Sequence, residues 1–282
     1  MSDRHRLCFL NGEMLPLADA KVSVLDRSFL FGDGVYEVIP VYDGQPFVLD
    51  SHLQRLSNSL AAVHMRCDFD FANLVARLIE QNRGGDMAIY IQVSRGAPKE
   101  RNHLIPAAME ATVFAMTQAF PAPSEKTMES GLSATICKDF RWRRCDIKAT
   151  SLLANVLLRQ QAADQDADEA ILERDGMITE GASSSVFALI DGTLRTPEDA
   201  PTLLPGTTRD RVIDVARDQG ITVVSQGIGK AELYQADEVW ICSALRELLP
   251  VTRLDGRAVG NGLPGPVWKK VYRAFQIAKR TC

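Results

Sequence analysis

The sequence predicts an α+β protein of two domains, and three observations carry that reading. The chain has 282 residues, about twice the length of an ordinary domain. Short β-branched and aromatic runs joined by Asn-Gly or Asp-Gly alternate with stretches whose apolar residues recur at helical spacing. The segment Phe120-Pro121-Ala122-Pro123-Ser124 carries two prolines that stiffen an extended connector. It divides the chain into a smaller N-terminal α/β domain at 1–120, a linker at 121–123 and a larger mixed C-terminal domain at 124–282. Two such domains favour a cleft between them.

Each element has a local reason. Leu7 to Leu10 and Met14 to Leu17 flank Asn11-Gly12, which supplies the positive φ angles of a type I′ hairpin turn. Val35 to Tyr42 is a second strand, turned at Asp43-Gly44 and returned by Phe47, Val48 and Leu49, with Pro40 marking an edge or a bulge. Asp50 or Ser51 caps a helix with the stripe Leu53, Leu56, Leu60 and Val63. Asp70 caps another built on Leu74, Val75, Leu78 and Ile79. Met87 to Val93 and Ala111 to Thr117 are strands. Beyond the linker, Leu132 to Cys137 is a strand, and Ser151 to Gln161 carries Leu152, Leu153, Val156 and Leu157 at helical spacing. Glu169 to Arg195 reads as a meander turned at Asp175-Gly176 and Asp191-Gly192. Pro205-Gly206 then opens a helix from about Thr208 to Gln219, and a last amphipathic helix starts near Val267.

Composition narrows the function classes. Hydrophobic residues make up 46% of the chain and charged residues 24%, which suits packed cores and excludes disordered and fibrous classes. Thirty-two Lys and Arg against 36 Asp and Glu leave a net charge of −4, with Arg141, Arg143 and Arg144 as the one dense basic cluster. A nucleic-acid or membrane-surface role is disfavoured. The six cysteines, Cys8, Cys67, Cys137, Cys145, Cys242 and Cys282, contain no C-x-x-C pair and read as reduced thiols. The N-terminus shows no apolar core of signal-peptide length, and the expected location is cytoplasmic.

Several groups could carry chemistry. Lys148 follows a cationic run and precedes an apolar helix, a setting that favours amine nucleophiles, although alone it reads as an ordinary solvated lysine. Thr179-Glu180-Gly181-Ala182-Ser183-Ser184-Ser185 is a small-residue turn with one carboxylate, suited to an anion or a heteroaromatic ring, or simply a polar hairpin loop. The helix start at Pro205-Gly206-Thr207-Thr208-Arg209 suits a phosphate or plain capping by Thr. Arg55 flanks an apolar stripe and either reaches inward to an anion or snorkels outward. Arg101 and His103 share a loop that could clamp a carboxylate or simply lie exposed. No metal-ligand spacing, G-x-S-x-G elbow or G-x-G-x-x-G loop occurs, so zinc, hydrolase and dinucleotide readings fall away.

Read in order, these signals resemble one family. Asp26-Arg27-Ser28-Phe29-Leu30-Phe31-Gly32-Asp33-Gly34-Val35-Tyr36-Glu37, then His52-Leu53-Gln54-Arg55-Leu56, then Lys148, Thr179-Glu180-Gly181 and Pro205-Gly206-Thr207-Thr208-Arg209 resemble the class IV aminotransferases, the fold-type IV pyridoxal phosphate enzymes. Tyr36-Glu37-Val38, the run from Arg141 to Lys148 and the Arg101-x-His103 pair are most similar to the branch that acts on D-amino acids.

The resemblance implies a homodimer that uses pyridoxal 5′-phosphate to move an amino group from a D-amino acid to a 2-oxo acid by a ping-pong cycle. Lys148 would hold the cofactor covalently and then shuttle the substrate's Cα proton. Glu180 would keep the pyridine nitrogen protonated. Arg55 with the amides of Thr207 and Thr208 would hold the phosphate, and Ser183 lies in the cofactor-binding turn. Tyr36, with Arg101 and His103 from the partner subunit, would bind the α-carboxylate. An L-branched-chain aminotransferase and an aminodeoxychorismate lyase remain the alternatives on the same fold. Ser185 departs from the family's usual Asn, and Pro40 and the Ser243-Ala244 pair also depart from the expected pattern.

Overall fold

A computed structural model of the protein describes residues 6–119 and 122–280. The start of the expected connector at Phe120-Pro121, the reading of Met1 to His5 and the Cys282 thiol lie outside the described residues. Among the described residues, the chain divides into two compact units, one of residues 6–119 with Ile147–Leu152, the other of residues 122–146 and 153–280.

The first unit is a six-stranded antiparallel sheet with helices against it. In chain order it holds β1 (Leu7–Leu10), β2 (Glu13–Pro16), α1 (Arg27–Phe31), β3 (Gly34–Tyr42), β4 (Gln45–Pro46), α2 (Leu49–Ala62), α3 (Phe71–Gln81), β5 (Met87–Ser94) and β6 (Thr112–Gln118). The strand order is β2-β1-β6-β5-β3-β4. Asn11 and Gly12 take the positive φ angles expected of the first hairpin, 48° and 100°. Asp70 caps α3 by accepting from Asn73 N, as the sequence predicts. Odd-numbered residues of β3 face the core, where Val35, Ile39 and Val41 meet Leu56 and Leu60 of α2 and Leu74, Val75 and Leu78 of α3. Each such side chain contributes about 1.5 to 3 kcal/mol on burial.

Two local readings are corrected here. Phe47 to Leu49 do not form a returning strand. Strand β4 has only Gln45 and Pro46, Val48 turns into the left-handed region at φ 45°, and α2 begins at Leu49. Its cap is therefore Val48 rather than Asp50 or Ser51, because the chain reverses as soon as Phe47 is buried and its N–H is bonded to Pro40 O at 2.8 Å. That bond also places Pro40. Its carbonyl faces β4, so its missing N–H lies on the same side and costs β3 no bond to β5. Helix α1, which Asp26 caps and Gly32 closes at φ 67°, is an addition to the elements expected from the sequence.

The segment Ile147–Leu152 runs along the edge of β3 that β4 leaves open. Tyr36 N donates to Lys148 O at 2.9 Å, Thr150 N donates to Gly34 O at 2.9 Å, and Val35 pairs with Ala149. Ile147 and Ala149 join the first unit's core. This places Lys148 in the first unit.

The second unit contains α4 (Glu125–Ser130), β7 (Leu132–Lys138), α5 (Leu153–Ala163), β8 (Glu169–Arg174), β9 (Met177–Gly181), β10 (Ser185–Ile190), β11 (Thr193–Thr196), α6 (Thr207–Asp218), β12 (Val223–Ser225), β13 (Ile228–Gly229), α7 (Lys230–Leu233), β14 (Glu238–Ser243), β15 (Glu247–Leu254), β16 (Arg257–Ala258) and α8 (Pro266–Ala278). The strands run in the order β12-β11-β10-β14-β15-β7-β8-β9-β13, with β16 on β15. Strand β7 is parallel to both neighbours, and the crossover to β8 is α5. The Asp175-Gly176 and Asp191-Gly192 turns take the expected positive φ angles. Helices α6 and α8 bury Val212, Val215 and Ala216 with Trp268, Val271 and Phe275.

Helix α5 departs from the expected packing. Its buried residues are Leu158 and Ala162, set against Cys137, Ala170 and Leu172 of β7 and β8. The predicted stripe of Leu153, Val156 and Leu157 is 72%, 60% and 52% exposed. An apolar stripe at i, i+3, i+4 fixes which residues share a face, and the sheet here lies under the neighbouring face.

Candidate active site

The first unit builds a buried polar cluster from one strand and one helix. Glu37 points from β3 into the core and is 0% exposed. Helix α2 meets it with His52 and Arg55, three residues apart and so on adjacent turns. Arg55 donates from Nε to Glu37 Oε1 at 2.7 Å and from Nη2 to Oε2 at 2.9 Å, and His52 Nδ1 donates to Oε2 at 2.8 Å. Burial disfavours the charged carboxylate, but Arg55 and His52 outweigh it and hold Glu37 well below the usual carboxylate range. Burial lowers His52, so it is neutral at pH 7 and donates its Nδ1 proton. Arg55 thus turns inward, against the snorkelling alternative.

One turn further along α2, Ser59 Oγ accepts from Lys148 N at 3.2 Å. With the β3 edge bonds, this fixes the lysine's backbone on both sides. Its Nζ lies 4.4 Å from the centre of the Tyr36 ring, a cation–π distance. Tyr36 in turn stacks on Tyr90 at 5.6 Å. The structure therefore brings Lys148, Tyr36 and Arg55 into one neighbourhood of the first unit, organised by Glu37, His52 and Ser59. These last three have no role in the sequence reading, although Glu37 and His52 stand inside its motifs. The signal that could have found them is a charged residue at an inward position of a strand, which must meet partners on the covering helix.

Arg101 and His103 sit on the loop after β5, both exposed. Both approach one ring, with the Arg101 guanidinium 4.8 Å and the His103 imidazole 5.0 Å from the centre of Phe31 in α1.

In the second unit, Glu180 lies near the end of β9 and is buried. Its Oε1 accepts from Arg141 Nη1 at 2.5 Å and its Oε2 from Leu204 N at 3.2 Å. Arg141 is locked by Asp139, which accepts from its Nε and Nη2 at 3.0 and 2.9 Å. Thr179 Oγ1 also donates to Asp139 Oδ2 at 3.1 Å. Arg141 and Arg144, read in the sequence as cations that would act on Lys148, are instead paired with Asp139, Glu180 and Asp146. Burial raises the Glu180 carboxyl, with Arg141 opposing. Such a carboxylate is stabilised by each further cation or N–H donor that faces it.

Ser183 is exposed in the turn after β9, which is tight. A Cβ on Gly181 would lie 2.1 Å from Ser184 Oγ. Thr207 and Thr208 open α6 after Gly206, and no side chain caps this helix. That removes the Thr-capping alternative and leaves an N-terminal dipole end suited to an anion. A Cβ on Gly206 would meet Ser185 Oγ at 2.6 Å, so the approach to the helix is also restricted to glycine.

The model of the family described as amino-transferase class IV matches residues 34–254. The chain belongs to the class IV aminotransferases. It is 40% identical over 270 residues to the D-alanine aminotransferase of Bacillus licheniformis, covering 94% of each chain. It is 37% identical over 272 residues to that of Staphylococcus epidermidis, covering 95% of this chain and 96% of the relative. Among solved structures, the branched-chain amino acid aminotransferase of Escherichia coli aligns with a TM-score of 0.90 at 29% identity, over 98% and 95% of the two chains. A branched-chain amino acid aminotransferase of T.th. with pyridoxamine 5′-phosphate gives 0.89 at 27% identity, over 97% and 94%. Among the described residues no helix is long and apolar enough to cross a membrane.

Class IV aminotransferases are pyridoxal phosphate enzymes, and the groups described fit that cofactor's three demands. An amine is needed for its aldehyde, a carboxylate for its ring nitrogen and donors for its phosphate. Lys148 Nζ is held against Tyr36, the buried Glu180 carboxylate accepts a donor on each oxygen and has further lone pairs, and the N-cap of α6, Gly206, makes no side-chain cap bond.

Proposed function

We propose that this class IV aminotransferase moves the amino group of a D-amino acid of the D-alanine type to a 2-oxo acid such as 2-oxoglutarate or pyruvate, in a ping-pong cycle with pyridoxal phosphate. The observation that carries the reading is the 40% identity to a D-alanine aminotransferase across 94% of both chains. When bound, the cofactor supplies an aldehyde carbon for amines and an electron-poor ring that accepts negative charge from the substrate Cα.

The chain's own residues then have distinct tasks. Lys148 Nζ would hold the cofactor covalently and, once free, would carry the proton between the substrate Cα and the cofactor. Its placement on the open edge of β3, tied by Tyr36 N and Ser59 Oγ, supports this task. Glu180 keeps the ring nitrogen protonated, and Arg141 holds the carboxylate in orientation. Arg55 and the amides of Thr207 and Thr208 hold the phosphate, and Ser183 lies in the turn that meets the cofactor. Two Arg55 nitrogens face Glu37, which orients the guanidinium. Tyr36 binds the substrate carboxylate with Arg101 and His103 contributed by a second copy of the chain.

The proposed assembly is a homodimer. The exposed stripe of Leu153, Val156 and Leu157 supports it, because burying such a face repays association. The proposed location is the cytoplasm, supported by the free thiols of Cys8, Cys67, Cys137, Cys145 and Cys242.

A second reading, L-branched-chain transamination, is favoured by the solved relatives at TM-scores of 0.90 and 0.89. Single-turnover reactions of the purified holoenzyme with D-alanine, L-alanine and L-leucine decide between them. Faster conversion of D-alanine is expected, and preference for L-leucine overturns the D-specific reading. Borohydride reduction followed by peptide mapping is expected to place the phosphopyridoxyl group on Lys148. A label on another lysine overturns that assignment.

A further inference from the structure

The motif from Asp26 to Asp33 contains an arginine that the proposed reaction leaves without a task. Arg27 begins α1 and is 4% exposed. A buried guanidinium loses its hydration, so where its five donors go is informative. Nε donates to Asp33 Oδ2 at 2.7 Å. The others turn to the backbone of one loop. Nη1 donates to Asn102 O and, at 3.4 Å, to Leu104 O, while Nη2 donates to His103 O at 3.3 Å. The same guanidinium lies 4.9 Å from the centre of the Phe31 ring.

The loop it grips has little else to hold it. Residues 95–111 contain no helix or strand, and Arg101 to Ile105 are all exposed. Asn102 Oδ1 accepts from Leu104 N at 3.0 Å, a local turn that orders the loop only within itself. Arg27 is tied to the framework through Asp33, whose two oxygens accept from Arg95 at 2.8 and 2.9 Å. Arg95 in turn donates to Val63 O and His64 O behind α2, at 2.7 and 3.1 Å. A chain of ion pairs and hydrogen bonds thus runs from the end of α2 through Arg95, Asp33 and Arg27 to the carbonyls of 102–104. Phe31, one turn along α1 from Arg27, supplies the ring under both Arg101 and His103.

We infer that Arg27 and Phe31 are positioning residues for substrate-carboxylate recognition. Arg27 fixes the backbone of the loop, and Phe31 fixes the planes of the two side chains that it presents. The inference rests on the proposal that Arg101 and His103 bind the α-carboxylate. Its physical content is preorganisation. A loop already ordered does not lose freedom when substrate arrives, so the anchor acts on substrate affinity and leaves the chemistry at Lys148 alone.

The test measures kcat and KM for D-alanine, with the cofactor absorbance of each holoenzyme as a second readout, in Arg101→Ala, Arg27→Met, Phe31→Leu and the Arg27→Met/Arg101→Ala double variant. Arg27→Met is expected to raise KM about tenfold with kcat within about threefold of wild type and absorbance unchanged. Phe31→Leu, which buries no unpaired charge, shifts KM in the same direction by less. The double variant loses less than the product of the two single effects, because the anchor acts in part through the residue already removed. If Arg101→Ala itself leaves KM unchanged, the carboxylate-binding proposal fails. If Arg101→Ala raises KM while Phe31→Leu and Arg27→Met do not, or if they lower kcat and cofactor absorbance instead, the positioning inference fails.

Discussion

Glu37 and Arg55 form a two-point ion pair in which each carboxylate oxygen accepts from a different guanidinium nitrogen, at 2.7 and 2.9 Å. The pair joins the strand beside Lys148 to the helix that carries a proposed phosphate ligand. It therefore couples the stability of the first unit to the orientation of its functional side chains.

The coupling has a pH signature. The folded protein holds Glu37 below the ordinary carboxylate value, so its contribution is complete above that value and is lost as pH falls through the lower native one. His52, lowered by burial, must also charge on acid unfolding and adds loss in the same direction. Glu37→Gln is expected to destabilise by about 3 to 5 kcal/mol at pH 7, the cost of breaking a buried pair. The gap should narrow as pH falls below about 4. Urea midpoints at pH 7, 5 and 3 measure it, and a gap independent of pH would count against the assignment.

Glu180→Gln removes the charge proposed to face the ring nitrogen while the proposed phosphate ligands Arg55, Thr207 and Thr208 stay in place. The half-reaction with D-alanine should slow about 100- to 1000-fold, the range seen when one electrostatic contact to developing charge is lost. Cofactor absorbance should persist. Near-normal single-turnover rates would remove the role given to this carboxylate.

Arg101→Ala should lower kcat/KM for D-amino acids about ten- to a hundredfold through loss of a charge-assisted contact. If the loop serves the partner's lysine, dimers that pair Arg101→Ala with Lys148→Ala chains regain one working site. Rates of purified mixed dimers, compared with either parent, report this directly, and no recovery argues for a loop that acts within its own chain.

Leu157→Glu puts a charge on the exposed stripe of α5 while leaving the buried Leu158 and Ala162 in place. The expected result is a shift from dimer to monomer in light scattering with far-UV dichroism unchanged. A variant that remains dimeric places the interface on another surface.

Much of this architecture was legible in the sequence because its determinants are local. Asn11-Gly12, Asp175-Gly176 and Asp191-Gly192 specify their turns through φ angles, and Asp70 announces α3 by capping it. The motifs around Tyr36, Arg55, Lys148, Glu180 and Thr207 also point to the family from sequence, since each pairs a residue type with a chemical demand. Val48 was illegible for the opposite reason. Nothing in a valine announces a left-handed turn, which the burial of Phe47 imposes.

The sequence by itself determined most of the elements, the Asn-Gly and Asp-Gly turns, the chemical inventory and the family. Tertiary structure decided how that inventory is used. It set Lys148 on the edge of β3 with the first unit, turned Arg55 inward to Glu37, drew Arg141 onto Glu180, and left Leu153, Val156 and Leu157 facing outward. The division follows from range. Turn and cap energies arise between residues a few positions apart, whereas charge pairing and burial depend on which distant segments the sheet brings together, 18 positions away for Glu37 and Arg55 and 39 for Arg141 and Glu180.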